Sequence, residues 1–342
     1  MTTQRWRVNR RAALNIALGL AAGPLLAALP GRARAQRLDR LVFLTDWRAQ
    51  AEHGGFYQAQ AAGLYRAAGL EVELRTGGPQ INPAQLLIAG RVDMSMGSAL
   101  ESFNFVREGL PFLTVAAIFQ KEAQVLIGHP NTGLTGFEAL RDRTILVGAQ
   151  ARTTWWPFLR AKYGLRDEQV RPYTFNPQPF LADRRVVQQG YLGSEPMTIR
   201  DAGVDPVVLL IADAGFENYN TTIQIGRATL ASKREVIQRF VDATLTGWHQ
   251  YLTAPEATDA HALIKRDNPE MPDALLDYGR RMMNEAGIVR SGDALTLGIG
   301  AMTEARWERF HASMAAVEVA PRNLAWRQAF DLSLVNKGIG RA

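Results

Sequence analysis

Residues 46–72 read DWRAQAEHGGFYQAQAAGLYRAAGLEV, and this stretch decides the fold. The apolar run LVFL at positions 41–44 precedes it and predicts a buried strand. Apolar residues recur at helical spacing after Gly54 and Gly55, and a second apolar strand is predicted at 70–74. The order strand, loop, helix, strand places a polar loop at the carboxyl end of the first strand, where open α/β sheets bind ligands.

That polar loop carries side chains suited to a flat ligand. Asp46 offers hydrogen-bond acceptors, Trp47 an indole surface for stacking and His53 an imidazole. Tyr57 follows in the predicted helix. A structural interpretation competes with each function: Trp47 could pack in the core, and His53 could stand at the start of the helix.

Two later loops occupy comparable positions after strands. Ser98 follows the predicted strand at 92–96, where it would cap the next helix, and that helix would also point free backbone amides into the cleft. In the second half of the chain, the loop at 149–156 ends in Trp155 and Trp156. We expect one of these indoles to be buried and the other to face the ligand. Trp155 is the candidate, and the sequence leaves the choice between it and Trp156 open.

The segment 190–196, GYLGSEP, holds the sharpest signal of the second half. Glu195 stands directly before Pro196, which restricts its backbone, and we predict that its carboxylate accepts ligand N–H groups. The alternative is a solvated acid in the first turn of a helix. Tyr219 and Asn220 precede the returning strand, where a hinge and cleft wall are expected.

The amino terminus has the features of an export signal. Residues 1–35 hold six arginines and no acidic residue, with an apolar stretch after Arg11 and a small-x-small site that ends at Ala35. The pattern around Arg11 is a degraded twin-arginine motif, and Sec export is the alternative. We therefore predict a periplasmic protein, cleaved near Ala35 and without stable membrane insertion. An uncleaved anchor is disfavoured because Gly23 and Pro24 interrupt the apolar stretch.

Composition excludes several classes of function. Removing the six leader arginines from the 39 basic residues leaves 33, equal to the 33 acidic residues, so nucleic acid is not an expected partner. The chain has no cysteine, which excludes disulfides and thiolate metal sites. P-loop, HExxH and GxSxG motifs are absent, and the five histidines are scattered. We predict no catalytic residue, no metal and no cofactor.

The alternation of strands and helices falls into two similar blocks followed by a mostly helical segment. We predict a first lobe of residues 38–128 plus 225–335 and a second lobe of residues 129–224, joined by two crossings. The fold class is α/β, with two doubly wound lobes and carboxyl-terminal helices. The alternative is one large doubly wound sheet.

These features together resemble the substrate-binding proteins of ABC importers, and above all the group that binds pyrimidine precursors of thiamine. That group is related to binders of nitrate, sulfonate and taurine. Its pattern DW…HxGxYxAxxxGxYxxxGLxV is present here at positions 46–72, and the similarity extends over about residues 40–330.

The resemblance implies a type II periplasmic-binding-protein clamshell, a ligand held between the lobes, and separate ABC permease and ATPase subunits as partners. It places Asp46, Trp47, His53 and Tyr57 at the first-loop positions of the family, and it suggests a heteroaromatic such as formylaminopyrimidine. An alkanesulfonate, taurine, nitrate or an aromatic acid is the alternative ligand, and Arg152 keeps the anion option open. An enzymatic relative, the fungal-type pyrimidine synthase, needs a cysteine-rich segment that this chain lacks.

Overall fold

A computed structural model describes residues 37–78, 81–174 and 176–341. The predicted export signal lies outside the described residues. Within the described ranges, no helix combines the length and apolar character that a membrane span requires. The strands are β1 Asp39–Leu44, β2 Leu70–Arg75, β3 Met94–Gly97, β4 Phe112–Phe119, β5 Gln124–Gly128, β6 Ile145–Val147, β7 Val170–Pro172, β8 Val187–Tyr191, β9 Val207–Leu210 and β10 Asn220–Gly226.

Helices cover the sheets, and from residue 227 onward they form most of the chain. The helices are α1 Gly54–Ala61, α2 Leu64–Ala67, α3 Pro83–Ile88, α4 Ala99–Arg107, α5 Trp155–Tyr163, α6 Gln178–Ala182, α7 Glu195–Asp201, α8 Arg227–Ser232, α9 Arg234–Thr253, α10 Thr258–Asp267, α11 Asp273–Glu285, α12 Ala294–Leu297 and α13 Glu304–Ala316. Short 3₁₀ turns lie at Ala51–His53, Phe137–Leu140, Ala151–Thr153, Asp167–Gln169, Ile211–Ala214 and Trp326–Ala329.

The two sheets share one plan. The first has the order β2-β1-β3-β10-β4, and the second has the order β7-β6-β8-β5-β9. In the first sheet β10 runs antiparallel to both of its neighbours, while β1 pairs in parallel with β2 and β3. In the second sheet β5 is the antiparallel strand, and β6 pairs in parallel with β7 and β8. Each lobe thus receives its one reversed strand from a crossing between the lobes.

The crossings lie earlier in the chain than the sequence predicted. Strand β5 was assigned to the first lobe (38–128), but it pairs in the second sheet. Most of β10 was assigned to the second lobe (129–224), but it pairs in the first sheet. The apolar run from β4 into β5 conceals the boundary, because only the polar residues at 120–122 interrupt it. The crossings are residues 120–123 and 215–219.

Close packing of α1 against α9 fixes the start of the first lobe. A Cβ atom on Gly55 would lie 2.1 Å from the Trp248 ring, and one on Gly54 would lie 2.0 Å from the Tyr251 ring. Only glycine permits this approach, so the GG pair of the opening stretch is a packing requirement. Because the 3₁₀ turn Ala51–His53 directly precedes α1, the same contact anchors the polar loop at the lobe surface.

Candidate functional site

The first-lobe ends of both crossings are held by one buried arginine from α13. Arg306 donates to Gln120 on the first crossing, with Nη1 3.3 Å from Oε1 and a second bond to the backbone carbonyl. Its Nε lies 3.2 Å from the Glu217 carbonyl oxygen on the second crossing. Its guanidinium also stacks over the Tyr219 ring at 4.1 Å. One residue of α13 therefore contacts both crossings and holds them to the first lobe.

A buried carboxylate ties the two crossings to each other. Glu122 accepts from Asn218 Nδ2 at 3.1 Å and from Asn220 Nδ2 at 2.9 Å on each oxygen. Burial raises the pKa of Glu122, and the bonds from the asparagines oppose that shift. The predicted site residue Asn220 thus has its amide engaged in the hinge. The same segment contains Thr221, a β-branched residue with φ of 47°, which marks local backbone strain.

The predicted role of Tyr219 as a stacking ring does not match its surroundings. Its side chain is only 1% exposed, and Arg306 covers one ring face. Its hydroxyl donates to Asp293 Oδ2 at 2.6 Å and accepts from the Thr303 backbone N–H at 3.0 Å. The aromatic residue that the sequence placed on the cleft wall instead joins the hinge to the carboxyl-terminal segment.

Ser98 caps α4, as the structural interpretation predicted. Its Oγ accepts from the backbone N–H of Glu101 at 3.3 Å. The expectation of free amides at this helix start is wrong, because the second crossing occupies them. Ala99 N–H donates to the Tyr219 carbonyl oxygen at 2.9 Å, and Leu100 N–H donates to Asn218 Oδ1 at 3.4 Å. The first three amides of α4 therefore have protein partners, and the helix start does not offer an anion site.

Three of the predicted residues do come together in the first loop. His53 Nε2 lies 3.3 Å from Asp46 Oδ1, and the backbone oxygen of Trp47 accepts from the Thr45 hydroxyl at 2.9 Å and from the Gly77 N–H at 3.1 Å. Asp46 and Trp47 are half-buried, whereas His53 is completely buried. The Nδ1 atom of His53 has no hydrogen-bond partner.

Tyr57, from the same sequence pattern, belongs to the core. It is completely buried, and its hydroxyl donates to Asp267 Oδ2 on α10 at 2.9 Å. Burial and this carboxylate raise the pKa of Tyr57. Its place in the pattern is explained by docking of α10 against α1, and the predicted ligand contact has no support in this geometry.

In the second lobe the two tryptophans point to different partners. Trp155 is completely buried, and its Nε1 donates to Gln124 Oε1 at 2.8 Å, at the start of β5 beside the first crossing. Trp156 Nε1 donates to Asp167 Oδ1 at 2.7 Å, whose side chain is largely exposed. Of the two, Trp155 is therefore the indole next to the hinge, although it is enclosed in the lobe.

Glu195 is held by donors of its own lobe. Its Oε2 accepts from the Tyr191 backbone N–H at 2.8 Å and from the Ser194 hydroxyl, and its Oε1 lies 3.4 Å from the Tyr173 hydroxyl. The restricted backbone before Pro196 aims the carboxylate back at the loop that carries it. Its predicted role as the main acceptor for a ligand competes with these bonds.

The residue that sequence reasoning missed is Glu52. It is 3% exposed, and burial raises its pKa to about 7, although its own backbone N–H and His53 oppose the shift. A Cβ atom on Gly193 of the second lobe would lie 2.1 Å from Glu52 Oε1, so the two lobes meet at this carboxyl group. One signal was available: an acid stands between Ala51 and His53, in a turn that must be buried to start α1.

Carboxyl groups dominate the electrostatics of this region. Desolvation of its hydroxyl raises the pKa of the half-buried Tyr191 well above 10, and four acids add to the shift: Glu122, Asp46, Glu52 and Glu195. Burial and Asp46 likewise raise the pKa of Glu101 to about 7. Gln224, next to it, leaves its Oε1 without a hydrogen-bond partner, while its Nε2 is bonded to the Ser98 carbonyl oxygen and the Ser102 hydroxyl.

Arg152, the basic residue that left an anionic ligand possible, does not contact the acids of the first loop. Arg152 is exposed and acts on Asp167, which is bonded to Trp156 and Arg160. Within residues 37–78, 81–174 and 176–341, no three His, Asp or Glu side chains converge where they could hold a metal ion. The region therefore combines acids, buried amides and aromatic rings.

Two α/β lobes, joined by two crossings and each containing one antiparallel strand next to a crossing, define the type II periplasmic-binding-protein fold. The chain belongs to the NMT1/THI5-like family, whose model matches residues 50–258. The predicted fold and family are confirmed.

The proteins that this chain is similar to have names that indicate different functions. The chain is 25% identical to the riboflavin-binding protein RibY of Chloroflexus aurantiacus, over 93% of this chain and 92% of that one. It is 23% identical to the 4-amino-5-hydroxymethyl-2-methylpyrimidine phosphate synthase of Aspergillus parasiticus, over only 31% of this chain and 32% of that one. The periplasmic aliphatic sulphonate binding protein SsuA of Escherichia coli superposes with a TM-score of 0.64 and 11% identity, over 85% of this chain and 91% of that one.

Proposed function

We propose that the chain is an exported solute-binding protein that delivers a small heteroaromatic molecule to an ABC importer. The ligand we favour is a pyrimidine precursor of thiamine such as formylaminopyrimidine, held between the lobes beside Asp46, Trp47 and His53. The partners are the permease and ATPase subunits of the importer, and the working compartment is the periplasm. We infer no catalytic step.

The observation that supports this ligand class is the excess of carboxyl groups where the lobes meet. Asp46 and Glu195 both raise the pKa of Glu52, and all three acids raise the pKa of Tyr191. Carboxylates accept from amino and ring N–H groups, and they repel anions. A neutral ring with amino substituents therefore complements this wall better than a sulfonate, nitrate or carboxylate.

The anionic alternatives are disfavoured by two further contacts. The first amides of α4, which could have bound an anion, are bonded to Tyr219 and Asn218 of the second crossing. Arg152, the basic residue of the second-lobe loop, is exposed and contributes to lowering the pKa of Asp167, which forms its ion pair with Arg160. A sulfonate would need either donor set to be rearranged.

Riboflavin is the second candidate ligand. The near full-length match to RibY supports it, because that relative is named for binding riboflavin. A flavin presents ribityl hydroxyl groups that can donate to the same carboxylates, and a ring system that could stack on Trp47. Riboflavin is larger than a pyrimidine, so we expect the space between the closed lobes to fit only one of them. Binding measurements with both ligands therefore separate the two candidates.

An enzymatic function is disfavoured because the synthase relatives match only part of this chain. The match to the Aspergillus parasiticus synthase covers about a third of that protein. This chain has no cysteine, whereas the fungal-type synthase resembled in sequence needs a cysteine-rich segment.

Thermal unfolding of the purified protein in the presence of candidate ligands tests the proposal. A pyrimidine precursor at a concentration 100 times its Kd should stabilise the protein by about 2.7 kcal/mol. Riboflavin, taurine and an alkanesulfonate, tested at the same concentrations, serve as competing ligands. Stabilisation by a sulfonate alone would reject the proposed ligand class, and stabilisation by riboflavin alone would select the second candidate. Mass spectrometry of molecules released on denaturation identifies any ligand that copurifies.

A further inference from the structure

Glu52 lies at a close contact between the two lobes. It belongs to the 3₁₀ turn Ala51–His53 of the first lobe, and its Oε1 faces Gly193 in the loop between β8 and α7 of the second lobe. A Cβ atom on Gly193 would also lie 3.0 Å from the Gly279 Cα atom on α11. Gly279 in turn leaves no room for a side chain, because its Cβ would lie 2.7 Å from that of Ala51. The lobes thus meet through two glycines around one carboxyl group.

The carboxyl group in this contact lacks a hydrogen-bond partner for one of its oxygens. Glu52 is 3% exposed, yet its Oε1 has no bonding partner, and the adjacent His53 leaves Nδ1 unpartnered in the same turn. Buried polar atoms are almost always paired in folded proteins, so two unpartnered atoms on consecutive residues require an explanation. By contrast, the equally buried Glu122 has both oxygens bonded.

We propose that Glu52 is a ligand-contacting residue that determines specificity, donating its carboxyl proton to a ring nitrogen and accepting a hydrogen bond from the adjacent amino group. This two-point contact fits the edge of an aminopyrimidine, which presents an acceptor and a donor side by side. The inference rests on the proposed function and adds to it the residue that determines ligand specificity. A carboxylate could supply only acceptors, so the contact requires the neutral acid.

The surroundings of Glu52 keep the acid neutral near physiological pH. Burial, Glu195 and Asp46 raise its pKa to about 7, while His53 on the same turn opposes them. Tyr191 and Tyr251 also face it, and each has a raised pKa because of burial.

The charged residue next to this contact on α11 is Arg280. Its guanidinium is bonded to the carbonyl oxygens of Tyr251 and Pro255. It therefore offers Glu52 no ion pair in this arrangement.

The pH dependence of binding follows from this assignment. The complex holds the proton of Glu52 more tightly than the free protein, whose Glu52 has a pKa of about 7. Affinity is therefore at its maximum below pH 7 and falls as pH rises above that value, by up to about tenfold per pH unit. If the carboxylate were the binding form, affinity would instead rise with pH.

The test is calorimetry of the pyrimidine precursor between pH 6 and pH 9 with the wild-type protein and its variants. Glu52→Gln keeps one donor and one acceptor but does not titrate, so its affinity should show a flatter pH profile than the wild type. Glu52→Ala should bind about tenfold or more weakly at pH 6. Glu71→Gln on the exposed face of β2 is the matched control and should retain the wild-type profile. Because every protein meets the same ligand, titration of the ligand itself cancels in the comparison.

A second variant tests the contact without altering the carboxyl group. Gly193→Ala places a methyl group against Glu52 Oε1, so it should weaken ligand binding although Glu52 and Glu195 are both retained. Circular dichroism and thermal unfolding show whether each variant is folded. If the wild type binds a pyrimidine and Glu52→Gln reproduces both its affinity and the pH dependence of that affinity, Glu52 does not determine specificity. The proposed function then still stands. If the wild type binds no pyrimidine at any pH, the proposed function fails and the inference fails with it.

Discussion

The two walls that meet between the lobes differ in how their acids are used. In the first-lobe wall, residues 46–53, Glu52 leaves an oxygen without a partner, and His53 leaves a ring nitrogen free of hydrogen bonds. In the second-lobe wall, residues 190–196, Glu195 is bonded to Tyr191, Ser194 and Tyr173. An acid that stands out in the sequence can therefore be satisfied by its own loop, while a less conspicuous one keeps an oxygen without a partner.

The largest effect should come from removing the packing that supports the first wall. Gly55→Ala forces a methyl group to within 2.1 Å of the Trp248 ring, where α1 crosses α9. We expect a loss of about 3 kcal/mol in the free energy of unfolding, measured by urea denaturation. Gly78→Ala is the control, because a Cβ atom there meets no atom within 4 Å. Equal stability of both variants would show that the close approach of α1 to α9 is wrong.

The unpartnered acid of the first wall should make stability depend on pH. Its folded pKa of about 7 lies above the value of 4.5 expected when unfolded, so the folded state binds more protons between these values. Stability should therefore fall as pH rises from 4.5 to 7, by up to about 3 kcal/mol. Thermal melts of the unliganded Glu52→Gln variant should be flatter over this window and more stable than wild type at pH 8. Parallel profiles for the two proteins would contradict the burial of this carboxyl group.

Substitution of Trp155, which supports the second wall, should reduce stability more than substitution of Trp156. Trp155→Phe removes one donor to Gln124 Oε1 beside the first crossing. The ring is completely buried but Gln189 still donates to that oxygen, so we expect a loss of about 1 kcal/mol. Trp156→Phe removes a bond to Asp167, whose side chain water can reach, so its loss should be smaller. Chemical denaturation of the two variants gives the order, and the reverse order would show that Trp155 is not the structural indole.

The smallest effect on ligand affinity is expected for Glu195. Glu195→Gln keeps an acceptor for the Tyr191 N–H, so it should reduce stability by about 1 kcal/mol and change affinity less than Glu52→Ala. Isothermal titration of both variants with the same ligand gives the comparison. Glu168→Gln, an exposed acid of the second lobe, is the control for loss of charge. A greater loss of affinity for Glu195→Gln would restore Glu195 as the main acceptor and reverse the order of the two walls.

Much of the fold could be predicted because its signals are local. Apolar runs and helical spacing around 41–74 predict the first strand–loop–helix–strand unit, and the structure has β1, α1, α2 and β2 there. The sequence did not predict the crossing at 120–123, because β4 and β5 are both apolar. The residues of a strand do not show which other strand it will pair with. The candidate site was predicted less well, since Tyr57 and Tyr219 were chosen for their residue type, and burial gave both of them structural partners.

By itself, the sequence determined the α/β class, the family pattern and the polar loop of Asp46, Trp47 and His53, because composition and periodicity are properties of neighbouring residues. Only the tertiary structure decided which polar atoms remain available. The amides of α4 are occupied by a crossing more than 100 residues away, and Glu52 meets Gly193 from the other lobe. Hydrogen-bond capacity and pKa depend on what lies within a few ångströms in space, and the order of residues along the chain does not contain that information.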